Sequence, residues 1–285
     1  MYDKGVTNVN FEDEDFDLEW NDPMSENHQY LEDFINLLAI CHTIIVDTKD
    51  GEIQYNASSP DELALTNGAR HFGRIFEDRD DDGNIVIHNK ETGEKEKYEL
   101  LNVVEFTSAR KRMTVVIKRE DGKIICMTKG ADSHLLPRLA AGQEDLIKTT
   151  LGFIEEYANE GLRTLILAQK EVEPEFYEKW NKEYSVALCS MQDRDEEINR
   201  VAEKIEQDFL LIGSSAIEDK LQDEVGSTIS DIKAAGVKLW VLTGDKIETA
   251  INIGFSCKLL DKEMEIFILN MESTRDLYRQ ITDFI

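Results

Sequence analysis

The segment Lys238-Leu-Trp-Val-Leu-Thr-Gly-Asp-Lys-Ile-Glu-Thr-Ala-Ile-Asn-Ile-Gly254 carries the clearest structural pattern in the chain. Its apolar run Leu239–Leu242 predicts a buried β-strand. The apolar spacing from Ile247 to Gly254 predicts a helix. Thr243-Gly244-Asp245 would then form a tight turn between them. Strand, turn and helix together indicate one α/β unit of a parallel sheet.

The turn Thr243-Gly244-Asp245 has two interpretations. In parallel α/β sheets, ligands bind beyond the carboxyl ends of the strands, where free helix N–H groups attract phosphate. Thr243 offers a hydroxyl and Gly244 permits close approach of the backbone, whereas Asp245 would need a metal ion or a water beside it. The alternative is an ordinary strand-to-helix turn capped by Asp245. Local chemistry alone leaves both open.

Five segments, in order along the chain, resemble the type IV P-type ATPases, which are phospholipid flippases. The last of them along the chain is the segment from Thr243 to Gly254, similar to the family's T-G-D-K-x-E-T-A-I-N-I-G. The others are Ser59-Pro60-Asp61-Glu62 (S-P-D-E), Glu105–Met113 (E-F-x-S-x-R-K-R-M), Lys129-Gly130-Ala131-Asp132 (K-G-A-D) and Ile217–Gln222 (I-E-D-K-L-Q). The resemblance covers roughly residues 31–260, and five motifs in order make it specific.

The resemblance implies an α/β fold with two parts. Residues 31–217 would form an α+β nucleotide-binding domain, with a mainly antiparallel sheet flanked by helices. Residues 218–285 would form part of a Rossmann-like, haloacid-dehalogenase-type phosphorylation domain. Residues 1–30 are strongly acidic and indicate a mobile lead-in, part of which packs on the domain through interspersed apolar residues.

The local patterns predict the individual elements of the first domain. A helix is expected over Tyr30–Cys41, followed by a short hairpin around Lys49-Asp50-Gly51. Ser59 and Pro60 begin the next helix, where Glu62 completes a capping box. The remaining predictions are turns at 82–84, 91–93 and 121–122, strands at 100–106, 113–118, 124–129, 164–170 and 209–217, and helices at 146–159 and, broken, 176–205.

Composition limits the classes of partner. The 285 residues carry 59 acidic and 32 basic side chains, a formal net charge of -27. Such a surface argues against nucleic acid or anionic lipid as a direct partner. Four scattered cysteines without a C-x-x-C pair indicate neither a zinc site nor a disulfide framework, which fits the cytosol.

Four residues form the expected nucleotide contacts. Phe106 would pack in the core by default, but the matching flippase residue stacks on adenine, and Ser108 could bond the base or ribose. Lys129 ends an apolar strand and could be a solvated strand end; the family places it in the ATP pocket. Arg163 could pair with an acidic neighbour, or, as the resemblance implies, contact the nucleotide phosphates.

Four further positions have alternative roles. Glu62 is half of a capping box, and the family also places its loop near the adenine. Asp219 is a helix N-cap or, by resemblance, an acidic residue that approaches the ribose and the hinge between domains. Lys111 and Arg112 could steer ATP, although a solvated strand face is the simpler interpretation.

The chain lacks several motifs of an intact pump. The D-K-T-G-T motif of the phosphorylated aspartate is absent, as are G-D-G-x-N-D, D-G-E-T and any apolar run that could span a membrane. Ala109 stands where the family often has a polar residue. We therefore expect a cytosolic piece of a larger membrane protein, inactive as an ATPase alone, with Mg²⁺ ligands mostly in the missing segments and no metal site of its own.

The leading hypothesis is the ATP-binding portion of a phospholipid-translocating P-type ATPase, at the cytosolic face of a membrane. Its partners would be ATP, the actuator and membrane domains, and phospholipid in the intact protein. One alternative is a non-catalytic nucleotide-binding or interaction module from a truncated gene product. A soluble haloacid-dehalogenase-like phosphatase is a third, which the missing nucleophile opposes.

Overall fold

The structure is a computed structural model that describes residues 6, 8–49, 52–218, 221–244, 247–269 and 280–282. The chain divides into two compact units. The first unit comprises residues 1–157 and 162–217, and the second comprises residues 158–161 and 218–285.

The first unit contains the helices and strands that the sequence patterns predict, with two additional helices. Its helices are α1 Glu14–Trp20, α2 His28–Ile40, α3 Pro60–His71, α4 Asp132–Leu135, α5 Glu144–Asn159, α6 Pro174–Leu188 and α7 Arg194–Ile205. Its strands are β1 Ile45–Lys49, β2 Glu52–Asn56, β3 Arg74–Arg79, β4 Ile85–Asn89, β5 Lys95–Val104, β6 Arg112–Lys118, β7 Ile124–Gly130, β8 Arg163–Val172 and β9 Leu210–Ile217. A 3₁₀ turn, Leu136–Arg138, follows α4. The expected break in the helix over 176–205 falls between α6 and α7.

The first unit is built on an antiparallel sheet. Strands β3 to β9 form one seven-stranded sheet in sequence order, and every neighbouring pair is antiparallel. Strands β1 and β2 form a separate antiparallel hairpin. Its predicted turn residues, Asp50 and Gly51, lie outside the described residues. The expected α+β class with a helix-flanked antiparallel sheet is confirmed.

The two faces of this sheet have different contacts because side chains alternate along a strand. On one face, Val115 and Met127 pack with residues of α2 and α3 in a single buried cluster. On the other face, Val116 and Cys126 pack with α6 and α7, including Trp180. Met113 and Lys129 are register partners on the α2–α3 side, and this is where the candidate site lies.

Part of the acidic N-terminal segment packs on the first unit. Asp13 caps α1 by accepting a hydrogen bond from the backbone N–H of Phe16 at 2.8 Å. Trp20 is buried, stacks on Phe16 and lies under the guanidinium of Arg74. The expectation that part of this segment packs on the domain is confirmed for residues 14–20, because a pair of aromatic side chains four residues apart covers one end of the core.

The second unit contains two described helices, α8 Val225–Ala234 and α9 Ile247–Ser256. Gly236 ends α8 with a φ of 77°. The bonds from Gly236 N to Lys233 O (2.9 Å) and from Val237 N to Ile232 O (3.2 Å) complete a Schellman motif.

The buried strand expected over Leu239–Leu242 is not formed. The segment lies outside any strand, and Trp240 and Leu242 are 87% and 100% exposed. A parallel strand needs hydrogen-bonded neighbours and cover on both faces. The part of the second unit that the structure describes provides no strand to pair with it, so local apolarity alone did not produce a strand. In that described part of the chain, no helix is both long and apolar enough to cross a bilayer.

Candidate functional site

A cavity of about 440 Å³ opens beside the ends of β6 and β7 and the start of α3. Its volume lies within the range of small-ligand sites, roughly 300–1,000 Å³. It is lined by Thr43, Ser58, Ser59, Asp61, Glu62, Leu65, Glu105, Phe106, Met113, Lys129, Gly130 and Leu165. Three of the sequence-predicted nucleotide contacts, Glu62, Phe106 and Lys129, are thus brought together from different elements.

Lys129 forms the charged inner wall of the cavity. Its side chain is buried, and its Nζ has no hydrogen-bond partner among the described residues. The carboxylate of Glu62 approaches it to 3.8 Å, an ion-pair distance without a hydrogen bond. A buried ammonium carries a desolvation cost that hydrogen bonds normally offset. The alternative of a solvated strand end does not apply, and Lys129 is positioned to donate to a ligand.

Glu62 is held by donors outside its own helix. Its two carboxylate oxygens accept hydrogen bonds from Thr43 N at 3.3 Å and Thr43 Oγ1 at 2.9 Å. Ser59 occupies the N-cap position but its side chain makes no cap bond. The predicted capping box was therefore wrong, because a partner 19 residues away satisfies the carboxylate that a box would use. Pro60 and the acidic first turn still favour the helix start.

Phe106 lies in the loop that follows β5, and its ring is 59% exposed. It lines the cavity instead of packing in the core. The loop is fixed by bonds from Arg110 N to Thr107 Oγ1 (3.2 Å) and from Lys111 N to Thr107 O (2.8 Å). Ser108 is exposed on the same loop and is not among the residues that line the cavity.

Arg163 begins β8 and pairs with Asp61, which lines the cavity. Its Nη1 donates to both carboxylate oxygens, at 2.8 and 2.9 Å. Since Leu165 lines the cavity and lies two residues further along the strand, Arg163 faces the same side of the sheet.

A buried ion cluster lies on the opposite face of β6. Glu206 is fully buried and accepts hydrogen bonds from Arg110, Arg112 and Thr114. Arg112 also donates to Glu203, at 2.7 Å. The interpretation of Arg112 as part of a solvated strand face was wrong: only 3% of it is exposed, whereas Lys111 is exposed as expected.

Gly130 allows strands β6 and β7 to lie close together at the edge of the cavity. A Cβ at this position would lie 2.5 Å from Arg112 Cβ and 2.6 Å from Lys111 O. No larger residue fits without moving backbone, so the glycine next to Lys129 fixes the spacing of β6 and β7 at the cavity edge.

Two buried groups beside the cavity are held neutral. Burial, with the nearby ammonium of Lys129, lowers the pKa of His42 to about 3. Its Nε2 donates to Ala39 O at 2.8 Å, and its Nδ1 accepts from Ile44 N at 3.2 Å. Burial raises the pKa of the Cys41 thiol to about 11. Neither group is available for proton transfer near neutral pH.

The remaining predicted residues belong to the second unit. Thr243 and Gly244 are exposed. Asp245 and Asp219 lie outside the described residues, and so their roles stay predictions. Within the ranges that are described, no three His, Cys, Asp or Glu side chains form a group that could hold a metal ion.

Sequence patterns missed two residues of the site. Asp61 stands within the S-P-D-E motif, but nothing local shows that it meets Arg163, 102 residues away. Thr43 carried no signal, because its contact with Glu62 arises only when the end of α2 packs against α3.

Comparisons with known proteins match most of the chain to one family. A family model described as the P-type ATPase cytoplasmic domain N matches residues 30–224. The chain is 43% identical to the phospholipid-transporting ATPase DRS2 of Saccharomyces cerevisiae, over 95% of this chain and 20% of that protein. It is 42% identical to the phospholipid-transporting ATPase ID of Homo sapiens, over 87% of this chain and 20% of the relative. The chain therefore spans about a fifth of the length of the curated relatives it matches.

Proposed function

Since the chain belongs to the P-type ATPases, in their phospholipid-transporting type IV branch, we propose that its first unit binds ATP in the cavity lined by Phe106, Glu62 and Lys129. Residues 31–217 would be the nucleotide-binding domain, and residues 218–285 part of the phosphorylation domain. Residues 1–30 would be an acidic lead-in.

The observation that carries this proposal is the buried ammonium of Lys129, which faces the cavity without a hydrogen-bond partner among the described residues. A ligand with acceptor atoms at that point would recover a hydrogen bond to a charged group, worth about 1.5–3 kcal/mol. The exposed ring of Phe106 lines the same cavity and offers a flat apolar face. A purine base supplies both a ring to stack and acceptor nitrogens.

The charges of Lys129 and Glu62 at the inner end of the cavity fit a purine base better than a polyphosphate. Lys129 donates and Glu62 accepts, side by side, and the carboxylate leaves little net positive charge. Adenine presents an amino donor next to a ring nitrogen acceptor, which matches that pair. We therefore infer that the base enters first, with its edge toward Lys129 and Glu62 and its face on Phe106, while Ser108 bonds the ribose.

The phosphates would extend toward the mouth of the cavity, where Arg163 lies beside Asp61. In the intact pump, closure of a hinge near Asp219 would bring the γ-phosphate to Thr243, Gly244 and Asp245. P-type ATPases use Mg²⁺ with ATP, but the described residues do not form a site that fits the ion.

The activity of the whole protein would be ATP-driven transport of phospholipid from one leaflet of a membrane to the other. The names of the relatives support this part of the proposal. The domain described here would lie at the cytosolic face and work with actuator and membrane domains. By itself it would bind nucleotide without turning it over.

The proposal is tested by titrating the 285-residue chain with ATP and following its NMR spectrum. We expect dissociation constants from high micromolar to millimolar, about -4 to -6 kcal/mol. Phe106→Ala should weaken binding by about 1–3 kcal/mol, because a base-stacking ring is lost.

Phe153→Ala is the matched control, since that phenylalanine is 50% exposed on α5 and does not line the cavity. Its affinity for ATP should equal that of the unmodified chain. Equal affinities in both variants would refute the assignment of this cavity to the base.

A further inference from the structure

Asp61 and Arg163 form an ion pair at the edge of the cavity. Asp61 lines the cavity, and the Nη1 of Arg163 lies 2.8 and 2.9 Å from its two carboxylate oxygens. The two side chains are 26% and 38% exposed, so a solute that enters from solvent can reach both. The pair is therefore a partly exposed ion pair at the edge of the cavity.

The lining of the cavity is otherwise unfavourable for a polyphosphate. Its charged residues are three carboxylates, Asp61, Glu62 and Glu105, and one ammonium, Lys129. Lys129 already has Glu62 at 3.8 Å. A nucleotide with several negative charges needs a cation at the rim, and the guanidinium of Arg163 lies against a lining residue.

A guanidinium binds carboxylates and phosphates in the same way, through N–H groups directed at two oxygens. The N–H groups that now hold the carboxylate of Asp61 are of the type that a phosphate would require. The guanidinium of Arg163 can therefore bind either the carboxylate of Asp61 or a phosphate of the ligand.

We propose that Asp61 competes with the phosphates of a bound nucleotide for Arg163, and thereby sets how strongly the cavity prefers ATP to adenosine. The inference rests on the nucleotide site proposed above. In the absence of nucleotide, Asp61 neutralises the arginine and holds it at the cavity edge. When the nucleotide binds, its phosphate displaces the carboxylate, and part of the binding free energy is used to break the pair.

Asp61→Asn tests this by a gain of affinity, which damage to the fold cannot imitate. The amide keeps the size of the side chain but no longer holds the guanidinium by charge. ATP should bind about twofold to fivefold more tightly, which is the scale of a partly exposed ion pair. Adenosine, which has no phosphate, should bind with unchanged affinity.

Two controls separate competition for Arg163 from the general effect of removing a negative charge. Glu105→Gln removes a carboxylate from the same lining but leaves the ion pair intact, and it should raise ATP affinity less than Asp61→Asn does. The effect of Asp61→Asn on ATP affinity is also measured in a chain that carries Arg163→Gln, by comparing the double variant with Arg163→Gln alone. There its gain should fall to the size seen for Glu105→Gln, because the arginine for which the groups compete is gone.

All variants are titrated by NMR at one ionic strength with ATP and with adenosine. The inference is overturned if Asp61→Asn produces no gain, a gain matched by Glu105→Gln, or a gain that persists without Arg163. If the unmodified chain binds adenosine and ATP but Asp61→Asn does not gain, only this inference fails. If the unmodified chain binds neither, the nucleotide site itself is refuted.

Discussion

Glu206→Gln should destabilise the first unit severely, because this carboxylate is the centre of the buried ion cluster behind the nucleotide cavity. Glu206 is fully buried. It accepts bonds from Arg112 Nε (2.9 Å) and Nη2 (2.6 Å), from Thr114 Oγ1 (2.5 Å) and from Arg110. A glutamine keeps one acceptor oxygen but turns an amide nitrogen toward the N–H groups of an arginine.

The size of this loss of stability follows from the burial of the two arginines that bond Glu206. Arg110 and Arg112 are only 4% and 3% exposed, so neither can recover its hydration when the carboxylate charge is removed. Breaking a buried pair in this way costs about 3–5 kcal/mol. Against a total stability of roughly 5–15 kcal/mol, that is a large fraction. With a urea slope of about 2–3 kcal/mol per molar, the unfolding midpoint should fall by about 1–2.5 M.

Glu203→Gln is the matched control. Glu203 lies one turn earlier on α7 and bonds the same Arg112 at 2.7 Å, but its side chain is 42% exposed. Its loss should cost about 1 kcal/mol or less. Urea unfolding followed by fluorescence compares the two variants, since Trp180 donates to Val201 O on α7 and reports on this region. Equal shifts of the two midpoints would show that burial of the cluster does not control its energetics.

Three further outcomes are expected. His42, whose pKa falls from 6.5 to about 3 on folding, is neutral in the folded chain, so its contribution to stability is present above pH 6.5 and is lost as the pH falls toward 3. Between pH 7 and pH 5 this amounts to about 2 kcal/mol of unfolding free energy in urea titrations, and His42→Asn should remove that part of the pH dependence. Amide hydrogen exchange should be fast over residues 238–242, which lie outside any strand and are exposed apart from the half-buried Leu239, and slow over Val115–Met127 in the sheet; similar rates in both would contradict the structure. After incubation with γ-labelled ATP and Mg²⁺ and an acid quench, the 285-residue chain should carry no label, because the D-K-T-G-T aspartate is not in its sequence; hydroxylamine-sensitive label would instead favour the alternative of a haloacid-dehalogenase-like phosphatase.

The predictions from sequence that were confirmed concern elements whose signals are local. The turn at Asp121-Gly122 joins β6 to β7, and Gly122 adopts a φ of 86°. Gly83 and Gly93, in the predicted turns at 82–84 and 91–93, adopt φ values of 85° and 72° for the same reason, since glycine accepts the left-handed conformation without steric cost. Such features are encoded in a few consecutive residues, as are the alternating strands of the antiparallel sheet.

Errors arose where a residue's environment depends on distant parts of the chain. Leu239–Leu242 has the composition of a buried strand, but strand formation needs a neighbour for its backbone groups, and a run of apolar residues cannot supply one. Arg112 is part of a motif that indicates a basic surface, yet its carboxylate partner Glu206 lies 94 residues away. The sign of a charge is a local property, whereas its exposure and its partner depend on distant parts of the chain.

The sequence by itself determined the family, through five ordered motifs, and most of the elements of the first unit, through periodicity and turn residues. It also identified Phe106, Lys129 and Glu62 as candidates, and the cavity brings these three together. Only the tertiary structure decided that the ammonium of Lys129 is buried beside Glu62, that Thr43 donates hydrogen bonds to Glu62, and that Asp61 forms an ion pair with Arg163. Motifs and periodicity depend on neighbours in the chain, but desolvation and ion pairing depend on neighbours in space, which only the folded chain brings together.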